Sequence, residues 1–238
     1  MRAVSLTNRG GRKNNEDSVG YVKAEDIWCF VICDGLGGQS FGEIASELVC
    51  NTICDEFKKE PLISQKALYQ YIEKSASLLG EERSGDKEKA DMSSTVVTLV
   101  TDGKKAIWAN IGDSRLFYIS DGEISQVTND HSIAFMEFEN GDITYEEIRY
   151  SPNQNKLLRA VSDIDNFNPD ISEVTELKKN DAFLLCSDGF WEYVTEDDIE
   201  ETLHSAKSPK DWLEAMLEIL HENEGKKNDN YSVIAVII

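Results

Sequence analysis

The sequence predicts an α+β fold in which amphipathic helices cover antiparallel sheets. Four strand candidates, 94–101, 105–111, 114–119 and 123–127, follow one another with only Asp102-Gly103, Gly112-Asp113 and Asp121-Gly122 marking the turns. Connections that short join antiparallel neighbours, because a parallel crossover takes a dozen residues or more. Unbroken apolar runs at Ile27–Cys33 and Tyr231–Ile238 read as strands buried on both faces. Between such runs lie segments whose apolar residues recur at helical spacing, which places helices on the sheets.

Along the chain, short strands are expected at 2–7 and 18–23, followed by the buried run at 27–33. Ser40 with Glu43 three residues later forms a capping-box signature. The helix it opens carries Ile44, Ala45, Leu48, Val49, Ile53 and Phe57 on one face. A second helix, about 64–82, carries Leu68, Tyr71, Ile72, Ser75 and Leu79, and the polar stretch Gly80–Asp91 reads as an exposed loop. After the four hairpin strands, 131–156 is mixed and poorly periodic. Strands resume near 157–161, 170–175 and 181–186, then helices near 195–204 and 209–222, the latter with Trp212, Leu213, Met216, Leu217 and Leu220 aligned. Pro61, Pro152, Pro169 and Pro209 fall between periodic segments, and no linker or repeat divides the chain, so 1–238 is expected to be one domain.

The chain has 238 residues, with 45 Asp+Glu against 24 Lys+Arg and a net charge of −21. Such an acid excess argues against a nucleic-acid binder and against docking on anionic lipid. No apolar run approaches the roughly 20 residues of a spanning helix. Met1-Arg2-Ala3-Val4 opens on folded-looking sequence, so neither a signal peptide nor a lipidation motif is expected. Cys29, Cys33, Cys50, Cys54 and Cys186 are odd in number and lie mostly in apolar runs, which reads as free buried thiols in a reducing cytoplasm.

The informative feature is where certain aspartates fall. Phe30–Cys33 runs into Asp34-Gly35, Trp108–Ile111 into Gly112-Asp113-Ser114, and Phe183–Cys186 into Ser187-Asp188-Gly189. Asp17 and Asp229 each stand just before a strand. Where neighbours are antiparallel, the end of one strand lies beside the start of the next, so all five carboxylates can meet at one edge. Each motif alone is ordinary turn chemistry; the joint pattern carries the weight, with Asp34-Gly35-Leu36-Gly37-Gly38 holding more glycine than one turn needs. Five crowded carboxylates need compensation. Oxygen donors without His or Cys point to Mg²⁺, Mn²⁺ or Ca²⁺ rather than zinc.

These residues resemble, in order and over nearly the whole chain, the metal-dependent Ser/Thr protein phosphatases of the 2C type in their compact bacterial form. The resemblance rests on Arg12 ahead of Glu16-Asp17, Asp34-Gly35-Leu36-Gly37-Gly38, Gly42-Glu43-Ile44-Ala45-Ser46, Met92-Ser93-Ser94-Thr95, Gly112-Asp113-Ser114-Arg115 and Asp130-His131-Ser132. Gly141-Asp142-Ile143-Thr144, Asn155–Ala160, Ser187-Asp188-Gly189 and Asp229-Asn230 complete it. It implies a four-layer αββα sandwich, two packed antiparallel sheets flanked by helices. It also implies two core Mn²⁺ or Mg²⁺ ions bridged by Asp34, with the Gly35 carbonyl on one and Asp188 and Asp229 completing the pair. Asp17, and with it Glu16, would act through metal-bound water, and Asp113 with Asp188 would hold a weaker third ion. Arg12 would bind the substrate phosphate, and 131–156 would be a flap beside the site.

The implied activity is hydrolysis of phosphoserine and phosphothreonine on proteins by in-line attack of a metal-bridging hydroxide. Such an enzyme would act as a cytoplasmic monomer on phosphoproteins, opposing a Ser/Thr kinase. The alternative is a catalytically silent phosphoprotein-binding or partner-switching module of the same fold. Two departures bear on the proton donor: Leu36 stands where some members carry His, and Gln39 where many bacterial members do. His131 is then the nearby candidate, against a structural role holding the flap; His204 and His221 read as surface residues. The remaining acid excess implies a preference for substrates with basic residues near the phosphosite.

Overall fold

The computed structural model describes residues 1–36, 41–162, 167–225 and 228–238. The apolar runs become two antiparallel sheets. One has the order β1-β12-β11-β7-β8, from β1 (Arg2–Asn8), β12 (Tyr231–Ile237), β11 (Ala182–Cys186), β7 (Arg115–Ser120) and β8 (Glu123–Val127). The other has the order β10-β6-β5-β3-β2, from β10 (Thr175–Glu176), β6 (Lys105–Ile111), β5 (Val96–Thr101), β3 (Ile27–Leu36) and β2 (Asp17–Ala24). Here β4 (Ser93–Ser94) also pairs with β3, and β9 (Asp170–Ile171) with β6.

Strand alternation sorts β3 between two cores. Phe30 and Ile32 face the other sheet, in a layer with Trp108, Tyr118, Phe183 and Ile234. Cys29, Val31 and Cys33 face α1 (Phe41–Lys59) and α2 (Gln65–Gly85), in a layer with Val49, Ile53, Phe57, Leu68 and Leu79. On the far side, α6 (Glu196–Ser205) and α7 (Pro209–Asn223) cover the first sheet through Ile199, Trp212, Met216 and Leu220. Helices, sheet, sheet, helices is the four-layer αββα order expected. The ring pair Tyr118–Phe183, 5.0 Å between centroids, stacks in the middle layer. Such pairs add about 0.5–1.5 kcal/mol beyond burial.

Several elements differ from expectation. The Gly112-Asp113 turn closes no hairpin: β6 pairs with β5 and β7 with β8 and β11, so this short link passes from one sheet to the other. The second helix runs on to Gly85 through the stretch read as loop, because its polar last turn is simply solvated. Arg83 Nε and Nη2 donate to the Ala90 carbonyl at 2.9 and 2.6 Å, folding the next turn back on it. The 157–161 strand is absent; Leu157 and Val161 make isolated bridges to Ser132 and Ser94, two separate segments, so no ladder forms. The 170–175 strand splits into β9 and β10, because Ser172 turns its hydroxyl onto the Trp108 N–H at 3.0 Å. The poorly periodic region holds two short helices, α3 (Ile133–Glu139) and α4 (Tyr145–Ile148), and one more turn, α5 (Asp188–Trp191), follows β11. The Ser40 cap, Gln39 and the glycines Gly37 and Gly38 lie outside the described residues.

All five thiols are free and buried, as expected. His204 and His221 are exposed. Among the described residues, no helix is long and apolar enough to cross a membrane.

Candidate metal centre

The topology brings all five aspartates to one end of the sheet pair. Asp17 opens β2 directly opposite Asp34 in the β2–β3 register. Asp113 lies in the turn between β6 and β7, Asp188 starts α5 after β11, and Asp229 precedes β12. The two sheets are tied here by Ser187. Its hydroxyl donates to Asp17 Oδ2 at 2.7 Å and accepts the Ser232 N–H at 2.9 Å. Asp34 is fixed by its backbone: its N–H donates to Thr95 Oγ1 at 2.9 Å, and its carbonyl accepts from the Thr95 N–H at 2.8 Å and Ser94 Oγ at 3.0 Å.

The electrostatics record the crowding. Loss of water, with Asp17, Asp188, Asp113 and Asp229 nearby, holds the Asp34 carboxyl well above the usual range. The same causes raise Asp188, with Asp113 its strongest charged neighbour. Burial pushes Asp17 up to about 6 against two opposing serine hydrogen bonds, and pushes Asp113 up to about 7. Glu16 is raised too, by burial and then by Asp229. Raising a carboxyl's titration by one pH unit makes its ionisation about 1.4 kcal/mol harder, so the uncompensated cluster is costly.

Arg12 supplies the adjoining positive charge. Its Nη2 lies 2.6 Å from Asp229 Oδ2, with the Arg12 side chain more than half exposed. The loop bearing it is stapled by buried Asn230, which accepts the Glu16 N–H at 2.8 Å and donates to the carbonyls of Arg9 and Asn14. Gly35 and Gly42 let the β3 end meet α1 backbone to backbone. A Cβ on Gly35 would stand 1.9 Å from the Gly42 carbonyl, so no other residue fits.

Both ring nitrogens of His131 are engaged. The Gly112 N–H donates to its Nδ1 at 3.1 Å, which leaves Nε2 carrying the proton toward Asp170 at 3.1 Å. Burial lowers its basicity. The ring thus ties the Asp113 turn to β9, while its backbone carbonyl accepts the Leu158 N–H at 2.7 Å.

The sequence reading missed Gln154, Trp191 and Glu192, and the contacts by which they tie residues 131–156 and Arg115 to this site. Glu192 lies one helical turn after Asp188, is pushed up to about 7 by burial and by Asp229, and accepts a hydrogen bond from Gln154. Arg115 pairs bidentately with Asp130 at 2.9 and 2.7 Å, fully buried, and its guanidinium lies 3.7 Å above the Trp191 ring. Trp191 Nε1 in turn donates to the Asp113 carbonyl at 2.9 Å. The i, i+4 spacing of Asp188 and Glu192 is the only sequence signal for Glu192; nothing local marks Gln154.

The donors fit a divalent ion in chemistry, though they are not yet closed around one. Among the described residues, no three acidic or imidazole side chains close on one point as finished ligands. Arg12 sits on one oxygen of Asp229 and Ser187 on one oxygen of Asp17. Asp17 Oδ1 is buried with no partner at all. Leaving such an oxygen bare costs about 1–3 kcal/mol or more, which a cation nearby would offset. The cluster offers only oxygens, and its repulsion is relieved by positive charge, so its residues fit hard divalent ions.

The protein phosphatase 2C family model matches residues 7–229. The serine/threonine phosphatase stp of Listeria monocytogenes is 29% identical over 99% of this chain and 95% of its own length. The crystal structure of the serine/threonine phosphatase Stp1 of Staphylococcus aureus superposes with a TM-score of 0.88 at 28% identity, covering 99% of this chain and 94% of that one. The catalytic domain of the serine/threonine phosphatase PstP, in complex with two manganese ions, superposes with a TM-score of 0.86 at 26% identity over 100% and 98%.

Proposed function

The chain belongs to the protein phosphatase 2C family, and from that premise we propose how its own residues carry the activity of a protein-serine/threonine phosphatase. The observation that carries the reading is the convergence of Asp17 and Asp34 from one sheet, Asp188 and Asp229 from the other and Asp113 from the link between the sheets, beside a solvent-facing Arg12. Asp34, Asp188, Asp229 and the Gly35 carbonyl would hold two core ions, Mn²⁺ or Mg²⁺, and Asp113 with Asp188 would hold a weaker third. Asp17 and Glu16 would act on them at longer range through water, Asp17 with its unpartnered oxygen. When bound, such ions supply Lewis acidity and make a water nucleophilic near neutral pH.

The chain's part is positioning. Arg12, on a loop pinned by Asn230, presents a planar fork that can bind two phosphoryl oxygens. Its partner at rest is a carboxylate of the site, so the guanidinium is already aimed at the reaction centre. His131 cannot serve as the proton donor to the leaving alkoxide without giving up Asp170. Residues 131–156 form the flap, docked through Gln154 on Glu192 and through Arg149 on Glu196 at 2.7 Å. The substrates are phosphoproteins, among them those of a cognate Ser/Thr kinase, and the enzyme is a single-domain cytoplasmic monomer.

The test is manganese-dependent hydrolysis of p-nitrophenyl phosphate and of a phosphothreonine peptide, with Asp34→Ala as control. Turnover no higher than the control across Mn²⁺, Mg²⁺ and pH would refute the reading.

A further inference from the structure

Opposite the carboxylate edge, at the far end of the first sheet, three chain segments bring cations to one cavity of about 490 Å³. Arg2 comes from β1, Lys179 from the turn before β11, and Lys207 from the link between α6 and α7. Asp121 is the one acid in the lining, and its carboxylate is paired with Lys178 at 2.6 Å. In a chain with 45 acids to 24 bases, pairing is the expectation for any cation. Arg2, Lys179 and Lys207 nevertheless have no carboxylate within ion-pair distance among the described residues. Arg2 Nη1 instead donates to the Lys207 carbonyl at 3.2 Å, which holds its guanidinium at the rim. His204 is fixed by its Nδ1 on the Glu200 carbonyl at 2.8 Å, leaving Nε2 over Gly122 on the cavity wall. Leu203, Ala206 and Ile237 line the cavity between the charges.

We propose that this cavity binds a phosphate group, remote from the reaction centre, through Arg2, Lys179 and Lys207. Convergent donors on cations suit a compact dianion, and apolar lining suits the body that carries it. The local positive charge also opposes the long-range repulsion that a −21 chain exerts on phosphoproteins. Two sources share this chemistry: inorganic phosphate, the product of the proposed reaction, and a second phosphoryl group on the same substrate protein. The second source rests on the phosphatase reading; the cavity's affinity for phosphate does not. The seven residues of β12 separate the two ends by about 20 Å. A chain reaching around the surface therefore needs phosphosites about ten residues apart, at about 3.3–3.6 Å per residue.

The experiment titrates the full chain with inorganic phosphate, following backbone amide shifts, against sodium chloride at equal ionic strength. The Gly122, Asn180 and Lys207 amides are expected to shift saturably with phosphate alone. Lys179→Glu/Lys207→Glu should weaken that response at least tenfold, and Lys179→Gln/Lys207→Gln should weaken it partly. Both variants should turn over p-nitrophenyl phosphate within about twofold of the parent, which confirms their folding. If the source is the substrate, a doubly phosphorylated peptide of that spacing shows a KM at least fivefold below its monophosphorylated counterpart, and the charge reversal removes the difference. Saturable phosphate shifts without a peptide difference assign the cavity to free phosphate. Shifts matched by chloride, or unmoved by charge reversal, overturn the proposal. Loss of the phosphatase reading shows separately, as no metal-dependent turnover with the phosphate titration intact.

Discussion

Removing the Asp17 charge should stabilise the metal-free protein, and only above its titration. In the folded state Asp17 is buried opposite Asp34 and its carboxyl is pushed from 3.8 up to about 6. Between those values the native state holds a proton that the unfolded chain has released, so stability falls as pH rises. The cost is absent below about pH 4 and complete above about pH 6. A rise of about two pH units in the titration corresponds to about 3 kcal/mol. In Asp17→Asn the group cannot ionise and that cost vanishes. Urea melts followed by tryptophan fluorescence, in chelator, at pH 4, 5.5 and 7 would read the difference directly. The expected result is a variant that gains on the parent with rising pH, by up to about 3 kcal/mol at pH 7. Saturating Mn²⁺ should narrow or reverse the gain, since a ligand at 100 times its Kd adds about 2.7 kcal/mol to the state that binds it. A difference between variant and parent that stays constant from pH 4 to 7 would refute the reasoning. Titrating groups away from the cluster, such as Asp170, whose carboxyl is lowered by His131 and Arg159 despite its burial, cancel in the comparison, and relief of Asp34 and Asp188 adds to the gain in the same direction.

Asp130→Asn should cost about 3–5 kcal/mol in urea, because it strands the buried Arg115 guanidinium; a loss below about 1 kcal/mol would contradict that. Arg12→Ala should lower kcat/KM on phosphopeptides by about 10–150-fold, the worth of 1.5–3 kcal/mol of charged hydrogen bonds, and unchanged kinetics would remove Arg12 from the site. His131→Gln should lower the melting temperature yet leave the shape of the kcat–pH profile intact, whereas loss of one limb would make His131 a proton donor after all. Peptides with basic residues near the phosphosite should be turned over faster than acidic ones at low salt, with the gap closing as salt rises; equal rates at low salt would dismiss a steering role for the acid excess.

The sheet strands were legible because strands buried on both faces are written as apolar runs, and these ended on the aspartates that mattered. The site was legible for the same reason: antiparallel neighbours bring strand ends and strand starts together, so strand order alone sets Asp34 beside Asp17. What stayed hidden depends on contacts between distant segments. The 157–161 segment has strand-like residues, but its hydrogen bonds go to Ser94 on one side and His131 on the other. The turn of helix at Asp188–Trp191 is too short for periodicity to register, and it alone places Trp191 under Arg115 and Glu192 beside Asp188. Gln154 gives no local sign of its role, since the carboxylate it meets is 38 positions away.

The Ser187 tie has a mechanical consequence. Asp17 and Asp34 ride on one sheet, Asp188 and Asp229 on the other, and Asp113 on the link between them, and Ser187 to Asp17 is a hydrogen bond that spans the seam. Sliding one sheet over the other would therefore alter the spacing between Asp34 and Asp188 without bending either strand. The facing layer of Phe30, Trp108, Tyr118 and Phe183 works as the gauge block that sets this spacing. Trimming one of those rings, far from any acid, would loosen the calibration of the whole cluster as well as its stability.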